Sequence, residues 1–242
     1  MNRAYWRVSR TPRYSLLFAL PLLLAYQVLA AFEPATPHGL VRNGADVMLE
    51  TVFVALAGRS GPLLFMIVLV GVGLWLVIRD LRRHPGGVRA GVYAWMLLEA
   101  SCLAAMFGLV VGSLTSRVVQ PTMLVHLVQI ERLGWSTRLM LSLGAGLYEE
   151  LLFRVVLVAG LAWIARAVFG WRDTAAGLWA VLGGAAIFSL VHYIGPYGDR
   201  VTLYSFVFRM IAGIFFSALY LLRGFGITAW THALYDAMLL VM

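Results

Sequence analysis

The sequence predicts an all-α fold, a polytopic membrane helical bundle of about seven transmembrane helices plus one short interfacial helix. Of the 242 residues, 62% are hydrophobic and 12% are charged, whereas a soluble domain carries about 25% charged residues. The apolar runs follow one another with short polar breaks. A segment in lipid must satisfy its own backbone groups, which favours helices. We therefore expect one integral membrane domain over residues 1–242 and no nucleic-acid-binding domain.

Seven apolar runs predict the spanning helices, at residues 14–32, 62–78, 91–114, 138–165, 175–194, 201–222 and 226–242. The first run follows four arginines and so resembles a signal peptide. Its apolar stretch is longer than the roughly 7–15 residues of a signal-peptide core, and we predict a retained anchor helix. Segment 44–57 carries Asp46 and Glu50 among apolar residues and is too short to span, which predicts the interfacial helix.

The basic residues indicate an orientation. All 19 are arginine, and they gather at the ends of the apolar runs. The loop 79–89 holds four of them and, with the basic N-terminus, predicts that both segments are cytoplasmic. The arginine-only, glycine- and alanine-rich composition is typical of a GC-rich bacterium and so predicts a bacterial inner (plasma) membrane. On the opposite side, the connection 115–137 is either a plain surface connection or a lid over a substrate entry.

Two residue types limit the chemistry. The chain has no lysine, which excludes a serine–lysine dyad and a Schiff base. Its one cysteine, Cys102, lies in an apolar run, so neither an internal disulfide nor a cysteine-cluster metal site can form. We predict a buried, inert thiol.

Six ionisable side chains lie inside apolar segments, where a charge at the bilayer centre costs about 2.5 kcal/mol or more. Residues that costly are candidates for function, and they fall in three segments that a bundle can bring together. The six are Glu149, Glu150, Arg154, His192, His232 and Asp236. Alternatively, the acidic pair and the arginine form a neutralising cluster that only pins neighbouring helices.

The first motif, EELLFR, places two adjacent carboxylates about 100° apart on a helix. Glu150 and Arg154 are four residues apart with the acid first, the favourable order for a helical ion pair. Glu149 is then free to act as a base.

The other two motifs supply imidazoles. In FSLVH, Phe188 and His192 share a helix face, although a lone histidine near a helix end is more often a packed or interfacial residue. In HALYD, Asp236 lies one turn after His232 and can orient the imidazole or hold it as imidazolium. A carboxylate base with two histidines can deprotonate water and stabilise an oxyanion.

Other designs of intramembrane hydrolase are excluded. The chain contains neither HExxH nor GxSxG. The segment 195–199, GPYGD, lacks the GxGD spacing of presenilin-type aspartyl enzymes and is better interpreted as a turn.

The three motifs together resemble the EExxxR, FxxxH and HxxxN/D motifs of the CPBP family, which contains CAAX-prenyl-protease-2-like and bacteriocin-processing intramembrane proteases. The resemblance covers residues 138–242 in the family's order and spacing. It implies a catalytic core there and divides the domain from a set of N-terminal helices, 1–137. It also implies a glutamic-type protease with no metal and no cofactor.

Carried over by motif, the resemblance makes Glu149 the general base that activates water and His192 its helper. It makes Glu150 and Arg154 a supporting pair. It also implies that His232 and the residue four positions further on stabilise the oxyanion. Asp236 departs from the Asn of the eukaryotic-type motif, and an ionised aspartate cannot donate a hydrogen bond. We therefore predict that Asp236 orients His232 and that His232 holds the developing charge.

The predicted function is an intramembrane endopeptidase that hydrolyses a peptide bond of a membrane-associated protein or peptide near the membrane surface, through a glutamate-activated water. Its expected partners are that substrate and the lipid bilayer. One alternative keeps the enzyme but adds a metal, because Glu149, His192 and His232 are acceptable zinc ligands. Another is a non-enzymatic scaffold, immunity protein or transporter that uses the polar cluster for binding. The absence of an obvious repeated half with broken helices argues against transport.

Overall fold

The computed structural model describes residues 3–33, 35–36, 39–119, 133–195 and 198–240. Ten α-helices account for most of these residues, and an all-α fold is confirmed. The helices are α1 (Arg3–Val8), α2 (Pro12–Ala31), α3 (Gly44–Ala57), α4 (Gly61–Arg83), α5 (Ala90–Val118), α6 (Trp135–Gly144), α7 (Ala159–Ala167), α8 (Asp173–Val191), α9 (Leu203–Arg223) and α10 (Phe225–Leu239). Two two-residue strands, β1 (Ala35–Thr36) and β2 (Gly39–Leu40), pair antiparallel before α3.

Helices α6 and α7 are the ends of one continuous helical segment whose centre is wider than an α-helix. Two π-helical stretches, Ala145–Glu149 and Leu151–Val158, join them. π-Helical turns are rare and frequently occur at functional sites. The sequence predicts one span over 138–165, and periodicity alone does not indicate its π-helical centre.

Within the described part of the chain, five helical segments are long and apolar enough to cross a membrane: Pro12–Ala31, Gly44–Arg83, Ala90–Val118, Asp173–Val191 and Leu203–Arg223. The polytopic membrane bundle is thereby confirmed. The central segment around α6 and α7 carries the buried Glu150 and Arg154. Helix α10 has 15 residues, about 22 Å of helix, which is short for a full crossing.

Helix α3 has the bounds that the sequence predicts, and it forms a hairpin with α4. A short 3₁₀ turn, Gly58–Ser60, joins the two. A Cβ atom on Gly61 would lie 2.4 Å from the backbone nitrogen of Val54, so only glycine permits this approach. The Phe53 and Phe65 rings pack 5.3 Å apart between the two helices. That α3 lies at the membrane interface stays a prediction.

Helix α10 lies at the centre of the bundle, in contact with α2, α5 and α9 as well as with the π-helical stretch. It approaches the first π-helical stretch closely at Gly146, where a Cβ atom would lie 2.3 Å from the Ala229 carbonyl oxygen. Between the neighbouring helices α5 and α9, the Phe107 and Phe216 rings stack with their centres 4.6 Å apart. These contacts bring the third predicted motif beside the first.

The two basic segments lie at the same end of the bundle. Arg13 Nε is 3.0 Å from Asp80 Oδ2, and Arg13 Nη1 donates to the Gly86 carbonyl oxygen at 2.9 Å. At this end Arg223 also pairs with Glu99, with Nε 2.6 Å from Oε1. The prediction that the N-terminus and the loop 79–89 share a side agrees with these contacts. Most of the connection 115–137 lies outside the described residues.

The prediction for Cys102 is wrong. The thiol is exposed on the outer face of α5 instead of being buried. An apolar run does not distinguish a side chain that faces the protein from one that faces lipid, because both environments accept a small hydrophobic group.

Candidate active site

The two adjacent glutamates lie at the middle of the α6–α7 segment and reach different partners. Glu149 ends the first π-helical stretch, and Glu150 separates the two stretches. Consecutive residues of a helix point in different directions, so one carboxylate faces His192 at the end of α8 and the other faces His232 on α10. The site therefore has two groups: an open group around Glu149 and a closed group around Glu150.

In the open group, Glu149 faces His192. Glu149 Oε2 lies 3.9 Å from His192 Nε2, beyond direct hydrogen-bond range. His192 Nδ1 lies 2.7 Å from the Phe188 carbonyl oxygen, which can only accept. Nδ1 therefore carries a proton, and Nε2 of the neutral ring presents a lone pair toward the carboxylate. The Phe188 ring, 4.8 Å from the imidazole, fixes its plane.

In the closed group, Glu150 contacts two cations or potential cations. Its Oε1 lies 2.7 Å from His232 Nδ1, and its Oε2 lies 3.1 Å from Arg154 Nε. The predicted ion pair of Glu150 with Arg154 is therefore present. It is a contact of charges at short distance, because the N–H directions of the guanidinium do not align with the carboxylate as a hydrogen bond requires.

Aromatic rings enclose the Arg154 guanidinium. Its central carbon lies 4.6 Å from the centre of the Phe188 ring and 5.5 Å from that of Phe216. The Phe216 ring also stacks on His232 at 4.4 Å. Phe188 thus contacts both the Arg154 guanidinium and the His192 ring and connects the two groups of the site.

Asp236 lies one helical turn beyond His232. Its Oδ2 is 3.6 Å from His232 Nε2, so the shorter contact of this imidazole is with Glu150 on Nδ1. Glu150 is therefore better placed than Asp236 to orient the ring. That Asp236 contributes to the orientation stays a prediction.

Exposure separates the two groups. The side chains of Glu149, His192 and Asp236 are 13%, 25% and 29% exposed, whereas those of Glu150, Arg154 and His232 are 0%, 1% and 7% exposed. A substrate can reach the first three, and Glu150 and Arg154 are a buried support. His232 lies between the two sets, with Nδ1 toward Glu150 and Nε2 toward the accessible Asp236.

Sequence reasoning missed one residue of the site. Asn43, which precedes α3, donates from Nδ2 to Glu149 Oε1 at 3.0 Å. The two residues are 106 positions apart, and the only local signal at Asn43 is that of a helix N-cap. Among the described residues, no group of three or more His, Cys, Asp or Glu side chains has the arrangement to hold a metal ion.

Comparison with known families gives a match over part of the chain. The model of a family described as type II CAAX prenyl endopeptidase Rce1-like matches residues 132–238. This range contains all three sequence motifs and excludes Asn43. Searches among curated proteins and among solved structures gave no match.

Proposed function

We propose that this chain is an intramembrane endopeptidase in which Glu149 and His192 activate a water molecule. The match of residues 132–238 to the model of the Rce1-like family of CAAX prenyl endopeptidases supports this proposal. The substrate is a membrane-associated protein or peptide. The reaction needs no metal.

The geometry of the open group supports the first step. One water molecule bridges two acceptors that are 3.9 Å apart, donating one proton to Glu149 and the other to His192 Nε2. Both acceptors orient the water oxygen toward the substrate carbonyl carbon. As the oxygen attacks, Glu149 takes its proton, and a tetrahedral intermediate forms with the former carbonyl oxygen as an oxyanion.

His232 supports the second part of the proposal. Carboxylates flank both of its nitrogens, Glu150 at Nδ1 and Asp236 at Nε2, so the ring can carry a proton on each. At 3.6 Å, Nε2 is too far from Asp236 Oδ2 for a hydrogen bond, so its N–H is available to donate to the oxyanion. The intermediate then collapses, the C–N bond breaks, and Glu149 returns its proton to the leaving amine.

The observation that carries the proposal is the pairing of an accessible carboxylate with a histidine of fixed tautomer. A cluster that only pinned helices would bury all of its charges and pair them directly. Here the closed group has that character, but Glu149 and His192 are accessible and are held just beyond hydrogen-bond distance. That separation favours a hydrolase over the scaffold alternative.

The arginines of the N-terminus and of the loop 79–89 favour a cytoplasmic N-terminus. The arginine-only composition favours the inner membrane of a bacterium. In a bacterium, removal of a C-terminal sorting tail or of a leader peptide is a better-suited reaction than cleavage of a prenylated substrate.

The test is a cleavage assay with purified protein in liposomes, against a panel of lipidated and single-span peptides. We expect Glu149→Gln and His192→Ala to lower kcat by about 100-fold or more, because each removes a proton acceptor of the attacking water. Matched controls are Asp173→Asn and His84→Ala, whose exposed side chains lie away from the site. These two variants should cleave like the wild type.

A chelator separates the metal alternative from the proposal. Unchanged cleavage in its presence supports the metal-independent reaction, and loss that added zinc restores supports the metal enzyme. Glu149 and His192 variants that cleave as well as the wild type would contradict the mechanism.

A further inference from the structure

The Asn43 amide is anchored on one side and faces the site on the other. Asn43 Oδ1 accepts a hydrogen bond from the Ala45 backbone N–H at 2.9 Å, which caps α3. The oxygen can accept and the nitrogen can only donate, so this contact fixes which end of the amide faces Glu149. It is Nδ2, 3.0 Å from Glu149 Oε1.

A buried network fixes the Asn43 backbone. Its N–H donates to the Tyr26 hydroxyl at 3.1 Å, and that hydroxyl donates to Asp46 Oδ2 at 2.7 Å. Asp46 is fully buried and also pairs with Arg42 at 2.9 Å. An amide held on a hydrogen-bonded turn of this kind loses little conformational freedom when it binds a carboxylate.

The approach of Asn43 to Glu149 depends on a glycine of α6. A Cβ atom on Gly144 would lie 2.8 Å from Asn43 Cβ and 2.6 Å from Tyr26 Cε2, too close for any other residue. The helix therefore comes close enough for the amide to reach the carboxylate five residues further on.

We propose that Asn43 is a positioning residue of the hydrolysis, which holds Glu149 through Oε1 so that Oε2 stays turned toward His192. This inference rests on the proposed function. The hydrogen bond from Asn43 to Oε1 restricts rotation of the Glu149 carboxylate about its terminal bond. Oε2 then stays 3.9 Å from His192 Nε2, a separation that one bridging water can span. The N-terminal helices thereby complete a site whose motifs all lie in residues 132–238.

The test compares Asn43→Ser with Asn43→Ala in the same cleavage assay. Serine caps helices as well as asparagine does but is too short to donate to Glu149, so it separates the two roles. We expect Asn43→Ser to lower kcat about 10- to 100-fold, the range for a hydrogen bond to a charged group. KM should stay within about twofold, and the Tm should stay at the wild-type value. Asn43→Ala should lose the same rate and in addition lower the Tm.

A purely structural role gives a different result. Asn43→Ser would then cleave like the wild type, and only Asn43→Ala would be impaired. That outcome would overturn the inference and leave the proposed function intact.

An infrared measurement decides the inference even if no peptide in the panel is cleaved and the proposed function fails. The carboxylate bands of Glu149 are obtained as the spectrum of the wild type minus that of Glu149→Gln. The same difference is taken in the Asn43→Ser background. Bands that shift between the two backgrounds support a hydrogen bond from Asn43 that positions the Glu149 carboxylate, and identical bands refute it.

Discussion

At the residue scale, the two groups of the site differ in exposure: the charges of the open group are accessible, and those of the closed group are buried. In the proposed mechanism the accessible Glu149 and His192 activate the water, whereas Glu150 and Arg154 are almost completely buried beside Nδ1 of His232. A buried charge that has lost its partner is far more costly than a surface charge, because water cannot compensate for it. Arg154 is therefore a test of the supporting role.

We expect Arg154→Met to lower the free energy of unfolding by about 3–5 kcal/mol, because it leaves Glu150 buried with only His232 as a partner. The measurement is denaturant or thermal unfolding in detergent. The control, Arg166→Met, removes a pair with Asp173 that is exposed and 3.6 Å long, and it should change stability by less than about 1 kcal/mol. Equal effects of the two substitutions would contradict the supporting role.

The residue scale also shows what sequence can predict. The spacing of four residues in a helix is local, so the pair of Glu150 with Arg154 follows directly from the chain. The contacts of Glu149 with Asn43 and of Glu150 with His232 join residues 106 and 82 positions apart. Such contacts depend on how helices pack, which periodicity does not encode. An apolar run also does not distinguish a buried thiol from an exposed one, as Cys102 demonstrates.

At the scale of elements, the π-helical stretches and α10 determine how the motifs meet. The sequence predicts every long helix to within a few residues, because apolar runs and polar breaks mark them. It does not predict the π-helical geometry, because this depends on neighbours across the bundle. Gly146 allows α10 to approach the π-helical segment closely, and Ala233, beside His232, is one of its contacts.

We expect Gly146→Ala to force α10 away and to separate His232 from Glu150. An added Cβ atom would lie 2.6 Å from Ala233 Cβ as well as against the backbone. Overpacking of this kind costs about 1–3 kcal/mol, so both the Tm and the cleavage rate should fall. Gly160→Ala is the matched control on α7, with nothing within 4 Å of the new methyl group. If Gly146→Ala is as stable and active as Gly160→Ala, this packing does not hold the site.

At the scale of the whole molecule, the open group and the two basic segments, the N-terminus and the loop 79–89, lie toward opposite ends. Helix α9 begins beside the open group, where Tyr193 donates to Ser205, and it ends at Arg223, which contacts the N-terminal Ser9. Its 21 residues span about 31 Å. If the arginine-rich end is cytoplasmic, the open group faces the outer half of the membrane, and substrates reach it from that side.

Cysteine labelling in membrane vesicles tests this orientation. The exposed Cys102 is first replaced by alanine, and His84→Cys and Arg59→Cys are then introduced separately at the two ends of α4. In right-side-out vesicles, a membrane-impermeant maleimide should label Arg59→Cys and spare His84→Cys, because four arginines of the loop 79–89 hold that end in the cytoplasm. Inverted vesicles should give the opposite result. Labelling of His84→Cys in right-side-out vesicles would reverse the topology and with it the side from which a peptide enters, while the contacts within the site would stand.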